Sequence, residues 1–502
     1  MGRSLLDYLE NSVQQRPEKI AVLDGSHQLS YRQLGEQSRR IGTALSKWVE
    51  PRGAAGLFLE QETAALPCLW GTLYAGAFYS FLNPDLPDRR LSLLAERLEP
   101  GVIITCPSLW ERARILFPGY SLVLAQTLLQ EEENPEILAR IRRHQIDTDP
   151  LYLNFTSGST GIPKGILVAH RSVLDFIDPF TRLFDITEQD VIANQAPFDF
   201  DVSVKDIYSA ALKGATLAVI PRRCFSQPAA LVDFLCDQGA TTLIWAVSAL
   251  CLLSSFHGLE YRRPERLKKI LFSGEVMPGK VLKYYRRFYP ELMMVNLYGP
   301  TEITCNCLYH VLDPAREYGE GIPIGKPFPN EDVFLLDEED RLIREKEKRG
   351  EICVRGTALA LGYFKAPELN ALSFCQNPLN PHFPERIYRT GDLGRYGEEG
   401  ELFFCGRKDF QIKYQGHRIE LEEIERAIGA LEGVERCCCV FDEKKSRLKA
   451  FYIGSALPPA LLEQLKKEIP SFMLPSSLLR MEAFPLTKNG KTDRKALLEY
   501  RG

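Results

Sequence analysis

The residues with the clearest chemistry in this sequence lie between Asn154 and Gly165, directly after the apolar residues Leu151–Leu153. The segment combines serine and threonine hydroxyls, glycines and one lysine. Backbone N–H groups at glycine can approach phosphate oxygens closely, hydroxyls donate further hydrogen bonds, and a lysine supplies positive charge. We therefore predict that the segment holds the polyphosphate of ATP. The predicted phosphate contacts are Thr156, Ser157, Gly158, Ser159, Thr160, Gly161 and Lys164.

This segment differs from the phosphate loop of NTPases, which requires a second glycine before its lysine and a hydroxyl residue after it. Here Pro163 precedes the lysine and Gly165 follows it. A surface turn rich in glycine and serine is the alternative interpretation. A nucleotide site needs further residues elsewhere in the chain, whereas a surface turn needs none.

The size and composition of the chain indicate which classes of protein it can belong to. At 502 residues the chain is too long for one compact core, and its 45% hydrophobic and 25% charged residues are typical of a soluble protein. A net charge of −4 argues against nucleic acid as a partner. No apolar stretch approaches the roughly 20 residues that span a bilayer, so membrane insertion is not expected. The 13 cysteines lack paired spacing and are typical of reduced thiols, and we expect a cytoplasmic monomer.

Strand-like and helical segments alternate from residue 4 to about residue 300. Short apolar runs such as Thr242–Trp245, Lys269–Phe272 and Met293–Leu297 are separated by stretches of helical periodicity. This alternation predicts α/β layers with largely parallel sheets. After about residue 320 short strands and turns follow, and beyond Asp409 a helix, two strands and a second helix predict a compact α+β module. We predict an α/β fold with a large N-terminal domain that includes a β-rich subdomain (1–407) and a small mobile C-terminal domain (408–502).

Six segments resemble those of the adenylate-forming enzymes, the family of amino-acid adenylation domains, acyl-CoA synthetases and luciferases. They occur in the family's order over nearly the whole chain. In sequence order they resemble the family signature, the substrate-pocket segment, the adenine and magnesium segment, the ribose segment, the hinge with the start of the mobile domain, and the closing lysine segment. The segments are Asn154–Gly165, Ala196–Ser203, Asn296–Glu302, Tyr388–Leu393, Gly406–Glu420 and Pro485–Lys495.

The resemblance implies a site for ATP and Mg²⁺. Glu302 is the expected magnesium ligand, because this ion prefers carboxylate and phosphate oxygens, and a structural glutamate at a turn is the alternative. Tyr298 would lie against adenine, and Asp392 would accept both ribose hydroxyls. Lys491 is expected beside the reacting carboxylate and the α-phosphate, and Arg407 near the phosphates or ribose. The remaining expected nucleotide contacts are Gly274, Glu275, Asn296, Gly299 and Thr301.

The resemblance also implies a second half-reaction. After the adenylate forms, the small domain would rotate about Asp409, present the segment at Gly416, and admit a phosphopantetheine thiol that takes the acyl group. Since the chain ends at Gly502, soon after the lysine segment, we expect the thiol to belong to a separate carrier protein.

Asp201 matches the aspartate with which amino-acid adenylation domains hold the substrate's ammonium group. A helix N-cap is the alternative for this residue. Within the family the chain resembles the D-alanine:carrier protein ligases, through Asn194–Phe198, Phe272–Val276 and Gln411–Lys413. D-alanine is therefore the leading substrate, with L-serine or a short acidic or polar amino acid for nonribosomal peptide synthesis as alternatives. An acyl- or aryl-CoA ligase and a non-catalytic binding protein are more remote alternatives.

The amino-acid pocket expected from the alignment begins at Asp201 and includes two unusual residues. Lys205 would meet an internal acid such as Asp206, extend outward to solvent, or bind an acidic or polar substrate side chain. Trp245 would shorten the pocket. The expected pocket residues are Phe198, Asp201, Val202, Lys205, Trp245, Leu271, Ser273, Leu297, Cys305, Asn306 and Lys491.

Overall fold

The structure is a computed structural model that describes residues 4–158, 163–319, 321–442, 445–486 and 492–500. Its contacts divide the chain into two units. The first unit contains Met1–Leu82, Leu98–Asn154 and Gly165–Lys408, and the second contains Asn83–Arg97, Phe155–Lys164 and Asp409–Gly502.

The helices alternate with strands through most of the first unit. The α-helices are α1 (Leu6–Gln15), α2 (Tyr31–Leu45), α3 (Ala65–Tyr74), α4 (Asp88–Leu98), α5 (Trp110–Leu116), α6 (Ala125–Leu128), α7 (Pro135–His144), α8 (His170–Leu183), α9 (Val202–Lys213), α10 (Pro228–Asp237), α11 (Val247–Ser255), α12 (Gly258–Tyr261), α13 (Gly279–Phe288), α14 (Pro367–Ser373), α15 (Leu421–Gly429), α16 (Pro458–Glu468) and α17 (Arg494–Glu499). Short 3₁₀ turns lie at Pro107–Leu109, Arg222–Ser226, Thr301–Ile303 and Ser471–Met473.

The strands build five sheets. They are β1 (Ile20–Leu23), β2 (Gln28–Ser30), β3 (Ala54–Phe58), β4 (Phe78–Phe81), β5 (Val102–Thr105), β6 (Leu122–Leu124), β7 (Pro150–Thr156), β8 (Lys164–Ala169), β9 (Val191–Asn194), β10 (Thr216–Val219), β11 (Thr242–Ala246), β12 (Lys269–Ser273), β13 (Met293–Tyr298), β14 (Leu308–Val311), β15 (Lys326–Pro327), β16 (Glu331–Leu336), β17 (Leu342–Ile343), β18 (Gly350–Gly356), β19 (Gly362–Tyr363), β20 (Phe374–Gln376), β21 (Arg386–Tyr396), β22 (Leu402–Arg407), β23 (Gln411–Tyr414), β24 (His417–Glu420), β25 (Val434–Asp442), β26 (Arg447–Gly454) and β27 (Ser477–Arg480).

The largest sheet has nine strands in the order β15-β14-β13-β12-β11-β9-β10-β1-β2. Its six neighbouring strands from β13 to β1 pair in parallel, and the outer strands β2, β14 and β15 are antiparallel. Parallel sheets are covered on both faces, which explains why β12 is buried at every residue and is apolar at its three central residues. The predicted α/β core with largely parallel sheets is confirmed.

Two further sheets complete the first unit. One has seven strands in the order β19-β8-β7-β4-β3-β5-β6, and the other is antiparallel, with β17-β16-β18-β21-β20 in order and β22 paired to β21. The antiparallel sheet corresponds to the predicted β-rich subdomain after residue 320. Its strand β21 runs for 11 residues and carries the predicted ribose segment.

The C-terminal part of the second unit contains a two-stranded sheet, β23-β24, and a three-stranded sheet, β25-β26-β27. Helix α15 packs on β25, and Ile424 and Ile428 of this helix belong to one apolar core with Leu448 and Leu465. The predicted order of helix, two strands and helix is confirmed.

Two further expectations concern the state of the cysteines and insertion into a membrane. All 13 cysteines are free thiols. Across the described ranges, no helix combines the length and the apolar character that crossing a membrane requires.

Candidate active site

The predicted site segments of the first unit follow the carboxyl ends of neighbouring parallel strands. Strand β11 ends at Ala246, β12 at Ser273 and β13 at Tyr298, in matched register across the sheet. The carboxyl ends of parallel strands are where open α/β sheets bind ligands. The sheet therefore places the segments after Ser273 and Tyr298 at one edge.

Three predicted nucleotide residues contact each other at this edge. The hydroxyl of Tyr298 donates to Asp392 Oδ2 at a distance of 2.5 Å, and the guanidinium of Arg407 forms an ion pair with Asp392 Oδ1. Asp392 and Arg407 face each other across the β21–β22 ladder, and Arg407 also donates to the carbonyl oxygen of Thr390 at 3.2 Å. Burial and the charge of Asp392 raise the pKa of Tyr298, so the hydroxyl remains a donor at neutral pH. The result is a fixed carboxylate that can accept sugar hydroxyls.

Glu302, the expected magnesium ligand, lies in a 3₁₀ turn directly after this edge and is fully buried. The hydroxyl of Tyr363 donates to its Oε1 at 2.7 Å, and the backbone N–H of Ala360 donates to its carbonyl oxygen at 2.9 Å. Within the described ranges, no cluster of three acidic, histidine or cysteine side chains could hold a metal alone. A single oriented carboxylate still fits Mg²⁺, because this ion is commonly bound by one or two carboxylates together with substrate phosphates and water.

Gly299 connects the nucleotide segment to the pocket segment. A Cβ atom at this position would lie 2.5 Å from the Cα of Asn306 and 2.8 Å from the backbone nitrogen of Cys307. Real Cβ atoms do not approach backbone atoms this closely, so only glycine fits. The glycine therefore lets the expected nucleotide residue contact the backbone of an expected pocket residue.

The other expected nucleotide contacts of the first unit lie near the same edge. Gly274 follows β12 with φ of +96°, a conformation that favours glycine, and Glu275 is next to it and partly exposed. Asn296 points to the opposite face of β13 from Leu297, and its side-chain amide donates to the carbonyl oxygen of Pro323 at 2.9 Å. Thr301 begins the turn that contains Glu302.

Asp201 stands immediately before α9, but its side chain makes no capping hydrogen bond. The alternative role as a helix N-cap is therefore not supported. Its backbone N–H donates to the side chain of Asn154 at 3.1 Å when that amide is oriented to satisfy both its groups, and its carbonyl oxygen accepts from Cys305 Sγ at 3.0 Å. Phe198, three residues earlier, is buried against Phe81. Hydrogen bonds to Asn154 and Cys305 thus hold the backbone that carries the carboxylate of Asp201.

Cys305 and its neighbour Thr304 have backbone conformations that non-glycine residues rarely adopt, with φ of +75° and +46°. The Thr304 hydroxyl donates to the carbonyl oxygen of Ala358 at 2.7 Å. Such conformations cluster at binding sites, where the surrounding structure holds them in place. Here they direct the side chain of the following residue, Asn306, toward α9.

Lys205 is fully buried on α9, and its ammonium donates to Asn306 Oδ1 at 2.7 Å. The outcome in which this lysine extends to solvent is therefore wrong. No hydrogen bond joins it to Asp206, whose Oδ2 accepts from Asn194 at 2.7 Å, but the nearby charges of Asp201 and Asp206 oppose the lowering of its pKa by burial. The two predicted pocket residues Lys205 and Asn306 are in direct contact.

The prediction that Trp245 lines and shortens the pocket is wrong. Trp245 pairs with Phe272 across the β11–β12 ladder, whereas Leu271 and Ser273 point to the other face of the sheet. The indole packs with Phe272 in a separate apolar core, and its Nε1 donates to the carbonyl oxygen of Ala193 at 2.8 Å. Ala246, which pairs with Ser273, takes the expected place of the tryptophan.

The remaining predicted pocket residues share the other face. Leu271 and Leu297 belong to the same apolar core, and Leu297 pairs with Ser273. Val202 is partly exposed at the start of α9. Leu271, Ser273 and Leu297 thus belong to neighbouring strands of one sheet.

In the second unit, the predicted phosphate residues contact the C-terminal segment. Ser157 donates to the carbonyl oxygen of Arg418 at 2.7 Å, the N–H of Gly158 donates to Glu423 Oε2 at 3.2 Å, and Lys164 Nζ lies 3.5 Å from Glu420 Oε1. The buried hydroxyl of Thr156 has no partner among the described residues. Carboxylates therefore meet the donors that we expect to hold phosphate. The predicted site residues Ser159, Thr160, Gly161 and Lys491 lie outside the described residues.

Sequence reasoning missed several residues that the structure adds to this site. Tyr363 orients Glu302, and Asn154, which opens the signature segment, accepts from the backbone of Asp201. Tyr363 occurs in a short Gly–Tyr strand that no local pattern marks as functional.

A comparison with models of protein families matches most of the chain, including most of the candidate site residues. The family model described as AMP-binding enzyme matches residues 9–364. The chain belongs to the AMP-binding enzyme family. The model described as AMP-binding enzyme C-terminal domain matches residues 423–491 of this AMP-binding enzyme. The resemblance to adenylate-forming enzymes is thereby confirmed.

Several characterised proteins are similar to this AMP-binding enzyme over nearly its whole length. It is 31% identical over 511 residues to Zwittermicin A synthase ZmaJ of Bacillus cereus, covering 99% of this chain and 95% of ZmaJ. It is 32% identical to the dimodular nonribosomal peptide synthase of Bacillus subtilis and 29% identical to Tyrocidine synthase 1 of Brevibacillus parabrevis. These two matches cover 98% and 99% of this chain, but only 21% and 45% of the two longer proteins.

Solved structures agree with the fold. Holo-PA1221, described as an NRPS protein containing adenylation and PCP domains, matches with a TM-score of 0.83 and 26% identity over 99% of this chain and 84% of that chain. The o-succinylbenzoate CoA synthetase MenE of Bacillus subtilis matches with a TM-score of 0.83 at 20% identity, which supports the fold alone.

Proposed function

We propose that this AMP-binding enzyme activates an amino acid with ATP and releases pyrophosphate. One observation carries the proposal: Tyr298 and Arg407 fix the buried carboxylate of Asp392, while Tyr363 fixes the carboxylate of Glu302, which follows Tyr298 by four residues. The first arrangement suits the ribose of a nucleotide, and the second suits a magnesium ion on its phosphates. The family match supports the same chemistry.

In the proposed reaction a carboxylate oxygen of the amino acid attacks the α-phosphorus of ATP. The bond from that phosphorus to the bridging oxygen breaks, and pyrophosphate leaves with the electron pair. A bound Mg²⁺ would supply charge neutralisation to the phosphates. Lys164 would hold the departing phosphates, and Lys491 would offset the charge that the attack brings together.

We assign the ammonium group of the substrate to Asp201. Its carboxylate is only partly buried, stands on an anchored backbone at the start of α9, and suits a positively charged partner. A fatty or aromatic acid offers no such partner. This assignment separates an amino-acid ligase from an acyl- or aryl-CoA ligase on the same fold.

We further propose that the activated amino acid passes to the phosphopantetheine thiol of a carrier protein. The thiolate would attack the acyl carbon of the adenylate and displace AMP. The similarity to PA1221, a protein with adenylation and PCP domains, supports this step. We propose a large domain of residues 1–407, a mobile domain of residues 408–502, and a hinge at Asp409 for the change between the two half-reactions.

The side chain of the substrate is short in this proposal. Similarity of the segments around Asn194 and Phe272 supports D-alanine. The contact of Lys205 with Asn306 and the displacement of Trp245 from the pocket support a polar side chain instead, as in L-serine or an acidic amino acid.

ATP–pyrophosphate exchange tests the proposal, with both enantiomers of the amino acids compared with fatty and aromatic acids. We expect exchange with one or a few amino acids. Asp201→Asn should raise the KM of the amino acid roughly 30-fold or more, because it removes one partner of an ion pair worth at least about 2 kcal/mol. Exchange that responds to fatty or aromatic acids only, or an unchanged KM, would overturn it.

A further inference from the structure

The first unit contains a cavity of about 690 Å³ that is separate from the candidate active site. Its walls include the first turn of α8, the start of β16, the end of β18, the segment 357–361 and the start of β21. Cavities of roughly 300–1,000 Å³ are the usual size for small-molecule sites. Among the described residues that line it, none is assigned above to ATP, Mg²⁺ or the amino acid. The cavity is therefore a candidate for a second ligand site.

Three arginines line the cavity, and carboxylates neutralise two of them. Arg171 donates to both carboxylate oxygens of Asp147, at 2.8 and 2.9 Å. Arg355 forms ion pairs with Asp332 and Glu385, both of which also line the cavity. These two acids are thus already engaged. The charge of the third arginine is not balanced in this way.

The third arginine, Arg386, has no carboxylate partner in the part of the chain that the structure describes. Its Nη2 donates to the carbonyl oxygens of Ala360 and Leu361 at 2.8 and 3.1 Å, and its guanidinium lies 4.7 Å from the centre of the Phe374 ring. These contacts hold the guanidinium in place but supply no negative charge. Because a guanidinium has five N–H donors, Nε and Nη1 remain available for an acceptor. Arg386 is exposed, so a ligand can reach it.

The rest of the lining suits an anion with an apolar part. Partial burial lowers the pKa of Arg386, and no described carboxylate offsets this effect. Burial and the nearby charge of Asp175 raise the pKa of Glu331 to about 8, so this lining carboxyl group is mainly neutral at pH 7 and does not repel an anion. Leu359 and Leu361 add apolar surface to the wall.

Ala360 links this cavity to the turn that contains the expected magnesium ligand. Its carbonyl oxygen accepts from Arg386, whereas its N–H donates to the carbonyl oxygen of Glu302 at 2.9 Å. A change in the position of Arg386 is therefore transmitted to Glu302 through a single residue.

Ala358, two residues earlier, makes the same kind of connection. Its N–H donates at 3.0 Å to Oε1 of Glu331, which lines the cavity, and its carbonyl oxygen accepts from Thr304 Oγ1 at 2.7 Å. Thr304 directly follows the 3₁₀ turn that contains Glu302. The cavity wall and the active-site turn are thus hydrogen-bonded to the same backbone segment, which is a contiguous physical route for coupling between two sites.

We propose that the cavity binds a small organic anion in which a carboxylate or phosphate group is joined to an apolar part. Arg386 binds the charged group through Nε and Nη1, and Leu359 and Leu361 contact the apolar part. The bound anion changes the affinity of the enzyme for Mg·ATP through Ala360. The binding site itself does not depend on the proposed function, whereas the effect on Mg·ATP rests on it.

Calorimetric titration of the whole protein tests the site with three probes. Phenyl phosphate carries both a charged group and a ring, inorganic phosphate carries only the charge, and benzyl alcohol carries only the ring. We expect phenyl phosphate to bind most tightly of the three, at one site per chain. We also expect it to bind when Mg·ATP fills the nucleotide site, because the two sites are separate.

Variants of Arg386 identify where phenyl phosphate binds. Arg386→Met should weaken its binding roughly 10- to 150-fold, as expected for the loss of a hydrogen bond to a charged group. Arg386→Lys retains the positive charge but not the paired donors, so a smaller loss is expected, and this variant keeps the test valid if the methionine variant does not fold. Arg40→Met is the matched control, because Arg40 is an exposed arginine on α2, and it should leave the binding unchanged.

The Kd of Mg·ATP, measured with and without phenyl phosphate, tests the connection to the active site. We expect a change of at least about fivefold in the wild type, which is a typical coupling between two sites. The same comparison in Arg386→Met should show no change, because the probe no longer occupies the cavity.

The outcomes that would overturn the inference are distinct. Absence of phenyl phosphate binding, or equal binding by the wild type and Arg386→Met, would overturn the site. Binding that Mg·ATP abolishes would place the probe in the nucleotide site and also overturn it. Binding no tighter than that of inorganic phosphate would overturn the apolar part of the ligand, and an unchanged Kd of Mg·ATP would overturn the connection to the active site. Absence of exchange with any amino acid would refute the proposed function but would not affect the titrations with phenyl phosphate.

Discussion

The contact between Tyr363 and Glu302 gives the sharpest test of the nucleotide site. Tyr363→Phe removes only the hydroxyl that donates to Glu302 Oε1 at 2.7 Å, and the ring remains to fill the space in the core. Glu302 is fully buried, so water does not simply replace the lost donor. A hydrogen bond to a charged group contributes about 1.5–3 kcal/mol. If the bond orients the carboxylate for Mg²⁺, kcat/KM for Mg·ATP should fall roughly 10- to 150-fold.

The assay is the rate of ATP–pyrophosphate exchange as a function of Mg²⁺ concentration, with circular dichroism as the check on folding. Tyr285→Phe is the matched control, because its buried hydroxyl donates at 3.1 Å to the carbonyl oxygen of Leu250, away from the site. We expect the control to lower stability slightly and to leave the Mg²⁺ dependence unchanged. A folded Tyr363→Phe variant whose kcat/KM lies within twofold of the wild type would refute the role given to Glu302.

Three other predictions concern packing, pH and catalysis. Gly299→Ala should lower the melting temperature by the equivalent of about 1–3 kcal/mol, since its Cβ would meet backbone atoms, whereas Gly279→Ala, with open space around it, should not. Burial raises the pKa of Glu331 from 4.5 to about 8, so the free energy of unfolding should fall as pH rises from about 4.5 to about 8, and Glu331→Gln should flatten that slope in chemical denaturation at several pH values. Lys491→Ala should abolish adenylate formation while ATP binding, measured by calorimetry, persists; normal exchange in that variant would contradict its role.

The sequence predicted the α/β fold well because its signals are local. The sequence predicts a strand at Lys269–Phe272, and the structure has it at Lys269–Ser273. A short apolar run flanked by charged residues and glycine is too short for a buried helix and favours a strand. The sequence predicts a helix over Leu421–Leu431, and the structure has it at Leu421–Gly429, a difference within the usual uncertainty at a helix end.

The error at Trp245 has a physical cause. In a parallel sheet both faces of a strand are buried, so apolar residues do not alternate with polar ones and the direction of a given side chain cannot be read from the pattern. The register of β11 with β12 determines on which face of the sheet Trp245 lies, and that register depends on tertiary structure.

Lys205 illustrates a different limit. The sequence identified a lysine among apolar neighbours but could not choose among its partners. Asn306 lies 101 residues away and reaches the lysine through the unusual backbone at Thr304 and Cys305, which no residue preference predicts.

The most direct test of the central claim is detection of the intermediate itself. The enzyme would be incubated with ATP, Mg²⁺ and an equimolar mixture of amino acids, and the products analysed by mass spectrometry for aminoacyl adenylates. We predict one dominant aminoacyl-AMP that forms in the wild type and is strongly reduced in Asp201→Asn. Formation of no aminoacyl-AMP, or of an adenylate only when fatty or aromatic acids are supplied, would contradict amino-acid activation.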